Sequence, residues 1–98
     1  RVMNDEKIGS KIIRIFLEDT PKQINALKES IERGDVDKVS WYAHKIKGSS
    51  SNIGGIALSS VAAEMEIAGN EGQIDKITAL IPEVEKQYEL LIEQLKEV

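Results

Sequence analysis

The sequence predicts an all-α domain: an antiparallel up-down four-helix bundle with a short additional N-terminal helix. Apolar residues recur at spacings of three and four along nearly the whole chain, the period of one helix face. Glycines and capping residues punctuate those segments, and no alternating β-branched run appears. Connections this short make sequential helices antiparallel neighbours.

Taken in order, residues 5–18 carry Ile8, Ile12, Ile15 and Phe16 at helical spacing, with Asn4 or Asp5 available as the cap. Thr20-Pro21-Lys22-Gln23 then reads as a restart. Thr20 can cap, Pro21 suits the first helical position, and Gln23 completes a capping box. The helix so started buries Ile24, Leu27 and Ile31 and stops at Gly34, a residue suited to the left-handed cap. Asp35 caps the next helix, whose apolar stripe is Val36, Val39, Ala43, Ile46, Ser50 and Ile53. Gly54-Gly55 ends it. Ile56 to Ala68 repeats the pattern through Leu58, Val61, Ala62, Met65 and Ala68, closing at Gly69-Asn70. The last stripe runs Ile74, Ile77, Ile81, Val84, Tyr88, Leu91, Leu95, Val98, and Pro82 within it predicts a kink or two collinear helices.

Ninety-eight residues make one domain, 1–98, with a modest core. A composition of 41% apolar and 31% charged residues is ordinary for a globular chain, and a net charge of −4 without a basic stripe weighs against nucleic acid as a partner. No apolar run approaches the ~20 residues of a membrane span and no signal-peptide pattern opens the chain, so no direct membrane contact is expected. With no Cys there is no disulfide framework, and a cytoplasmic location fits. The start at Arg1 reads as a module cut from a longer protein, itself free to be membrane-anchored. There is no Gly-rich phosphate loop, so the chain is not expected to phosphorylate itself from ATP. One His and no Cys argue against a transition-metal site, although helical carboxylate pairs can hold Mg²⁺ weakly.

The single histidine, His44, carries the chemistry. Lys47 and Gly48 lie three and four residues on, one helical turn away on the same face. At about 100° per residue the apolar stripe centres on the opposite side, so His44 points outward together with Asp37, Ser40, Lys47, Gly48 and Ser51, with Trp41 just beside it. That rules out a buried Ser-His-Asp relay. An exposed neutral imidazole is a nucleophile toward phosphorus without a dedicated base, and Lys47 is placed to offset the roughly two negative charges of a phosphoryl group. Glycine inside a helix costs about 1 kcal/mol relative to Ala, so Gly48 needs a reason. It either leaves room for a partner beside the imidazole or lets another helix pack closely. Trp41 either closes the bundle edge or offers an apolar docking contact, and Lys47 taken alone reads more readily as a solvated charge, its position relative to His44 being what favours a role. Ser40, Trp41 and Lys45 are the candidates for touching a partner.

The stretch from His44 to Gly54 resembles the signature of histidine-containing phosphotransfer (HPt) domains, H-x-[IL]-K-G-[SA]-[SA]-x-x-[IL]-G. His44, Ile46, Lys47, Gly48, Ser49, Ser50, Ile53 and Gly54 fill every fixed position. Phe16-Leu17-Glu18-Asp19-Thr20-Pro21, the Gly34-Asp35 junction and Met65-Glu66 also resemble such domains, so the likeness covers most of the chain. It implies a phosphorelay intermediate of two-component signalling, similar to the phosphotransfer modules of chemotaxis and hybrid sensor histidine kinases. By that resemblance His44 becomes phosphorylated, accepting a phosphoryl group from the aspartate of one response-regulator receiver domain and passing it to another. Lys47 stabilises the group and Gly48 admits the receiver. The resemblance implies no cofactor in this chain, the Mg²⁺ belonging to the receiver. It departs at one point: many such domains aim a Gln, Lys or Arg from the neighbouring helix at the phosphoryl group. Here Ile56 to Ala68 offers only Ser59, Ser60, Glu64 and Glu66. No phosphate ligand is expected from that helix, and Lys47 carries the role with Lys45 or Ser51 beside it. The alternative is a helical docking module without chemistry, whose partner affinity would survive loss of His44 and Lys47. The isolated domain is expected to be monomeric, the spacing from Ile74 to Val98 making dimerisation the competing reading.

Overall fold

A computed structural model describes the backbone of residues 2–96 and the side chains of residues 10–96. The described residues form four helices and no strand: α1 (Val2–Glu32), α2 (Val36–Asn52), α3 (Ile56–Asn70) and α4 (Ile74–Lys96). None is long and apolar enough to cross a membrane. Each helix packs on its neighbour in sequence and α1 also touches α4, with the most extensive contact between α2 and α3. Ser40 meets Asn70, His44 meets Glu66 and Ser51 meets Ser59, so α3 runs back along α2.

The stripes of α2, α3 and α4 supply most of the core. Val39, Ala43, Ile46 and Ser50 are buried from α2, and Leu58, Val61, Ala62, Met65 and Ala68 from α3. From α4, Ile77, Val84, Tyr88 and Leu91 are buried, while Ile74 is partly exposed and Val98 lies outside the described residues. Phe16 of α1 meets Tyr88 of α4 at a ring separation of 6.0 Å.

The N-terminal half corrects the expectation of a separate leading helix. α1 is one helix of 31 residues that passes straight through Pro21. Thr20 is therefore no cap: it is fully buried inside the helix, and neither its hydroxyl nor Gln23 Oε1 has a hydrogen-bond partner among the described residues. Burial explains why. Phe16, Thr20, Ile24 and Leu27 form one inward stripe across the proline, and a break there would throw Phe16 out of register with Ile24 and Leu27. Burying three large apolar side chains at about 1.5–3 kcal/mol each outweighs the ~3 kcal/mol that an internal proline costs. Ile12 and Ile15 fall off that stripe and are 43% and 48% exposed. The side chains of Asn4, Asp5 and Ile8 lie outside the described residues. Pro82 is absorbed in the same way, within an unbroken α4. Pro21 and Pro82 each leave unpaired the carbonyl four residues back, on Leu17 and Thr78, and both of those residues are exposed, where water can take the bond.

The three connections share one design. Gly34, Gly54 and Gly72 adopt positive φ of 69°, 78° and 66°. The following N–H in each case reaches back five residues, from Asp35 to Ser30 O (2.9 Å), Gly55 to Ser50 O (2.8 Å) and Gln73 to Ala68 O (2.9 Å). This is the Schellman closure of a helix C-terminus. Asp35 then caps α2 as expected, its carboxylate accepting from Lys38 N–H at 3.2 Å. The end of α3 differs from expectation, because the left-handed residue is Gly72. Gly69 is instead buried within the helix, where a Cβ would sit 3.0–3.1 Å from Ser40 backbone and Cβ atoms. It lets α2 and α3 approach closely.

Candidate functional site

The buried stripe of α2 turns His44 outward. Ala43 and Ile46 are fully buried, whereas the imidazole between them is 65% exposed. Lys47 follows one turn later, 36% exposed. Across the groove, Met65 and Ala68 anchor α3 in the core and place Glu66 against both.

Glu66 ties the site together. Its Oε2 lies 2.9 Å from His44 Nδ1 and its Oε1 lies 2.8 Å from Lys47 Nζ. Its carboxyl is held below the ordinary value, chiefly by the hydrogen bond from Lys47 and further by that from His44, against an opposing push from burial. Glu66 is therefore ionised at neutral pH and can only accept hydrogen bonds. In the neutral ring the proton consequently sits on Nδ1, and the lone pair is left on Nε2.

Gly48 adjoins this network and is exposed. A Cβ built there meets nothing within 4 Å, so close helix packing does not explain this glycine and open surface lies over it. Trp41 is 53% exposed rather than closing the bundle edge. Lys45 Nζ lies 4.4 Å from the centre of its ring, a cation–π contact, and Tyr42 packs edge-on against it at 4.9 Å.

The remaining candidates fall outside the His44 cluster. Ser40 lies where α2 meets α3 and donates to Asn70 Oδ1. Ser51 shares a 2.7 Å hydrogen bond with Ser59, whose hydroxyl also donates to the Lys47 carbonyl at 3.1 Å. This pair braces the backbone behind Lys47. Glu66 is the site residue that spacing along α2 does not reveal. Its signals in the sequence are its place among the polar residues of the next helix and the family likeness of Met65-Glu66.

Comparison with known proteins bears on the fold and the family. The fold is similar to that of histidine-containing phosphotransfer protein B from Pseudomonas aeruginosa PAO1, with a TM-score of 0.88, 23% identity, and coverage of 97% of this chain and 85% of that one. At that identity the likeness speaks for the fold alone. No curated protein matches. The family model described as Hpt domain matches residues 11–98, which take in all of α2 and α3 and every residue of the His44 cluster, so the chain belongs to the Hpt domain family.

Proposed function

We propose that this chain is a phosphocarrier in a phosphorelay, its helices arranged as an up-down antiparallel bundle. His44 takes a phosphoryl group from the aspartyl phosphate of one response-regulator receiver domain and hands it to the aspartate of another. One observation carries the reading: an exposed imidazole tethered through Nδ1 to Glu66, one helical turn from the open surface over Gly48.

The Nε2 lone pair attacks phosphorus, the bond from phosphorus to the aspartyl oxygen breaks, and its electron pair leaves with the carboxylate. Positive charge then develops on the ring, and the Nδ1–H bond to Glu66 stabilises it. Passing the group on is the same step in reverse, onto a second aspartate. Lys47 lies within reach of the phosphoryl oxygens, with Ser51 behind it. Gly48 leaves room for the receiver's backbone, and Trp41 with Lys45 forms a raised apolar and cationic rim for that partner, flanked by Ser40. Mg²⁺ belongs to the receiver, where it neutralises the phosphoryl oxygens.

Incubation with a phosphorylated receiver is expected to label the chain with an acid-labile, base-stable phosphate, and His44→Ala to abolish the label. Undiminished labelling of that variant would refute the assignment.

A further inference from the structure

We propose that Glu66 makes His44 a site of rapid transfer rather than a store, because it holds both Lys47 and the Nδ1 proton and so leaves a phosphoryl group on Nε2 weakly retained. The inference rests on the reading of His44 as the phosphorylated residue and adds what decides how long the group stays.

The first part is charge. Before phosphorylation, Lys47 and Glu66 balance one another across 2.8 Å. A phosphoryl group brings about two further negative charges. It must either share Lys47 with a carboxylate already bound to it or go without. Lys45, the other cation of this stretch, lies over the Trp41 ring instead. A neutral residue at 66 would leave Lys47 free for the phosphoryl oxygens. Glu66 is only 21% exposed, so water screens its repulsion poorly.

The second part is the leaving group. When the N–P bond breaks, its electron pair returns to Nε2. A ring that still carries a proton on Nδ1 departs as neutral imidazole, whereas a ring without one departs as an anion. Glu66 accepts the Nδ1–H hydrogen bond at 2.9 Å and favours the protonated ring. Both parts shorten retention. They also separate the roles of two residues that share one carboxylate: Lys47 is held in reserve by Glu66, and His44 is kept ready to release.

The test uses the full chain labelled with phosphoramidate, which needs no protein partner. After the donor is removed, loss of phosphohistidine is followed by ³¹P NMR at neutral pH. Glu66→Gln keeps an acceptor for Nδ1–H but removes the charge, and its phosphohistidine is expected to last at least fivefold longer than the wild type's. Lys47→Ala provides an independent readout. Its effect on the lifetime should be at least threefold larger in the Glu66→Gln background, where Lys47 is released to the phosphoryl oxygens, than in the wild type, where Glu66 competes for it. An equal or shorter lifetime for Glu66→Gln, or identical effects of Lys47→Ala in both backgrounds, overturns the inference and leaves His44 as the phosphorylated residue. Label that persists in His44→Ala overturns the underlying reading, and this inference with it.

Discussion

Gly48 and Gly69 are helical glycines with opposite reasons to exist, and their substitutions separate them. A methyl group at Gly48 meets open space, so Gly48→Ala recovers helix propensity at no steric cost. It should stabilise the domain by about 1 kcal/mol, raising Tm by roughly 4–8 °C. Gly48→Leu should fold as well and still fail to take phosphate from a receiver, because its side chain fills the approach to His44. At Gly69 the same methyl group would sit 3.0–3.1 Å from Ser40 N, Cα and Cβ, so the facing backbone of α2 must give by a few tenths of an ångström. Gly69→Ala should lower stability by about 1 kcal/mol, the overpacking cost exceeding the regained helix propensity. Thermal melts with a transfer assay check all three, and normal transfer by Gly48→Leu would remove the access explanation. Glu66 adds a pH dependence. Its folded-state value lies below the ordinary 4.5, so its contribution to stability is complete above that pH and is lost as pH falls through the depressed value. The stability difference between wild type and Glu66→Gln should therefore be constant near neutrality and shrink progressively below pH 4.5, as measured by urea unfolding across that range.

At the scale of elements, α1 sets a local signal against a non-local one. Thr20-Pro21-Lys22-Gln23 is built like a helix start, yet burial of one continuous stripe from Phe16 to Leu27 overrides it. Thr20→Val tests this directly. As a cap, Thr20 would cost about 1 kcal/mol to replace with an apolar residue. As a buried hydroxyl without a partner, it should give way to its apolar isostere with a gain of about 1 kcal/mol. The sign of the change in denaturation midpoint decides. The same contrast explains what was readable in advance. The inward residues of α2 and α3, the Asp35 cap and the outward turn of His44 follow from spacing within a single helix, which the sequence displays. The continuity of α1, the packing role of Gly69 and the bridge made by Glu66 depend on a facing helix. Glu66 stands 22 residues from His44, and nothing along α2 announces which side chain will lie opposite.

Across the whole molecule, stability and reactivity occupy different places. The fully buried large side chains, among them Leu27, Ile46, Leu58, Met65 and Ile77, line the interior between the helices, and His44 with Lys47 sits outside it. The ion pair from Lys28 to Glu85 joins α1 to α4 at 2.9 Å, but both side chains are nearly half exposed, so it contributes little. The interior, not surface charge, thus holds the four helices in place. Two consequences can be measured together. His44→Ala removes an exposed ring and one surface hydrogen bond, and its melting temperature should stay within a few degrees of wild type while labelling is lost. Phosphorylating the intact chain should likewise leave the packing undisturbed. Amide shifts in a ¹⁵N–¹H spectrum should move along the facing stretches 40–51 of α2 and 59–70 of α3 and stay fixed in α1 and α4. A receiver would then find the same docking surface before and after transfer, with only the charge at His44 changed. Shift changes spread through α1 and α4 would show instead that the phosphoryl group rearranges the helices, and that the carrier signals through its shape.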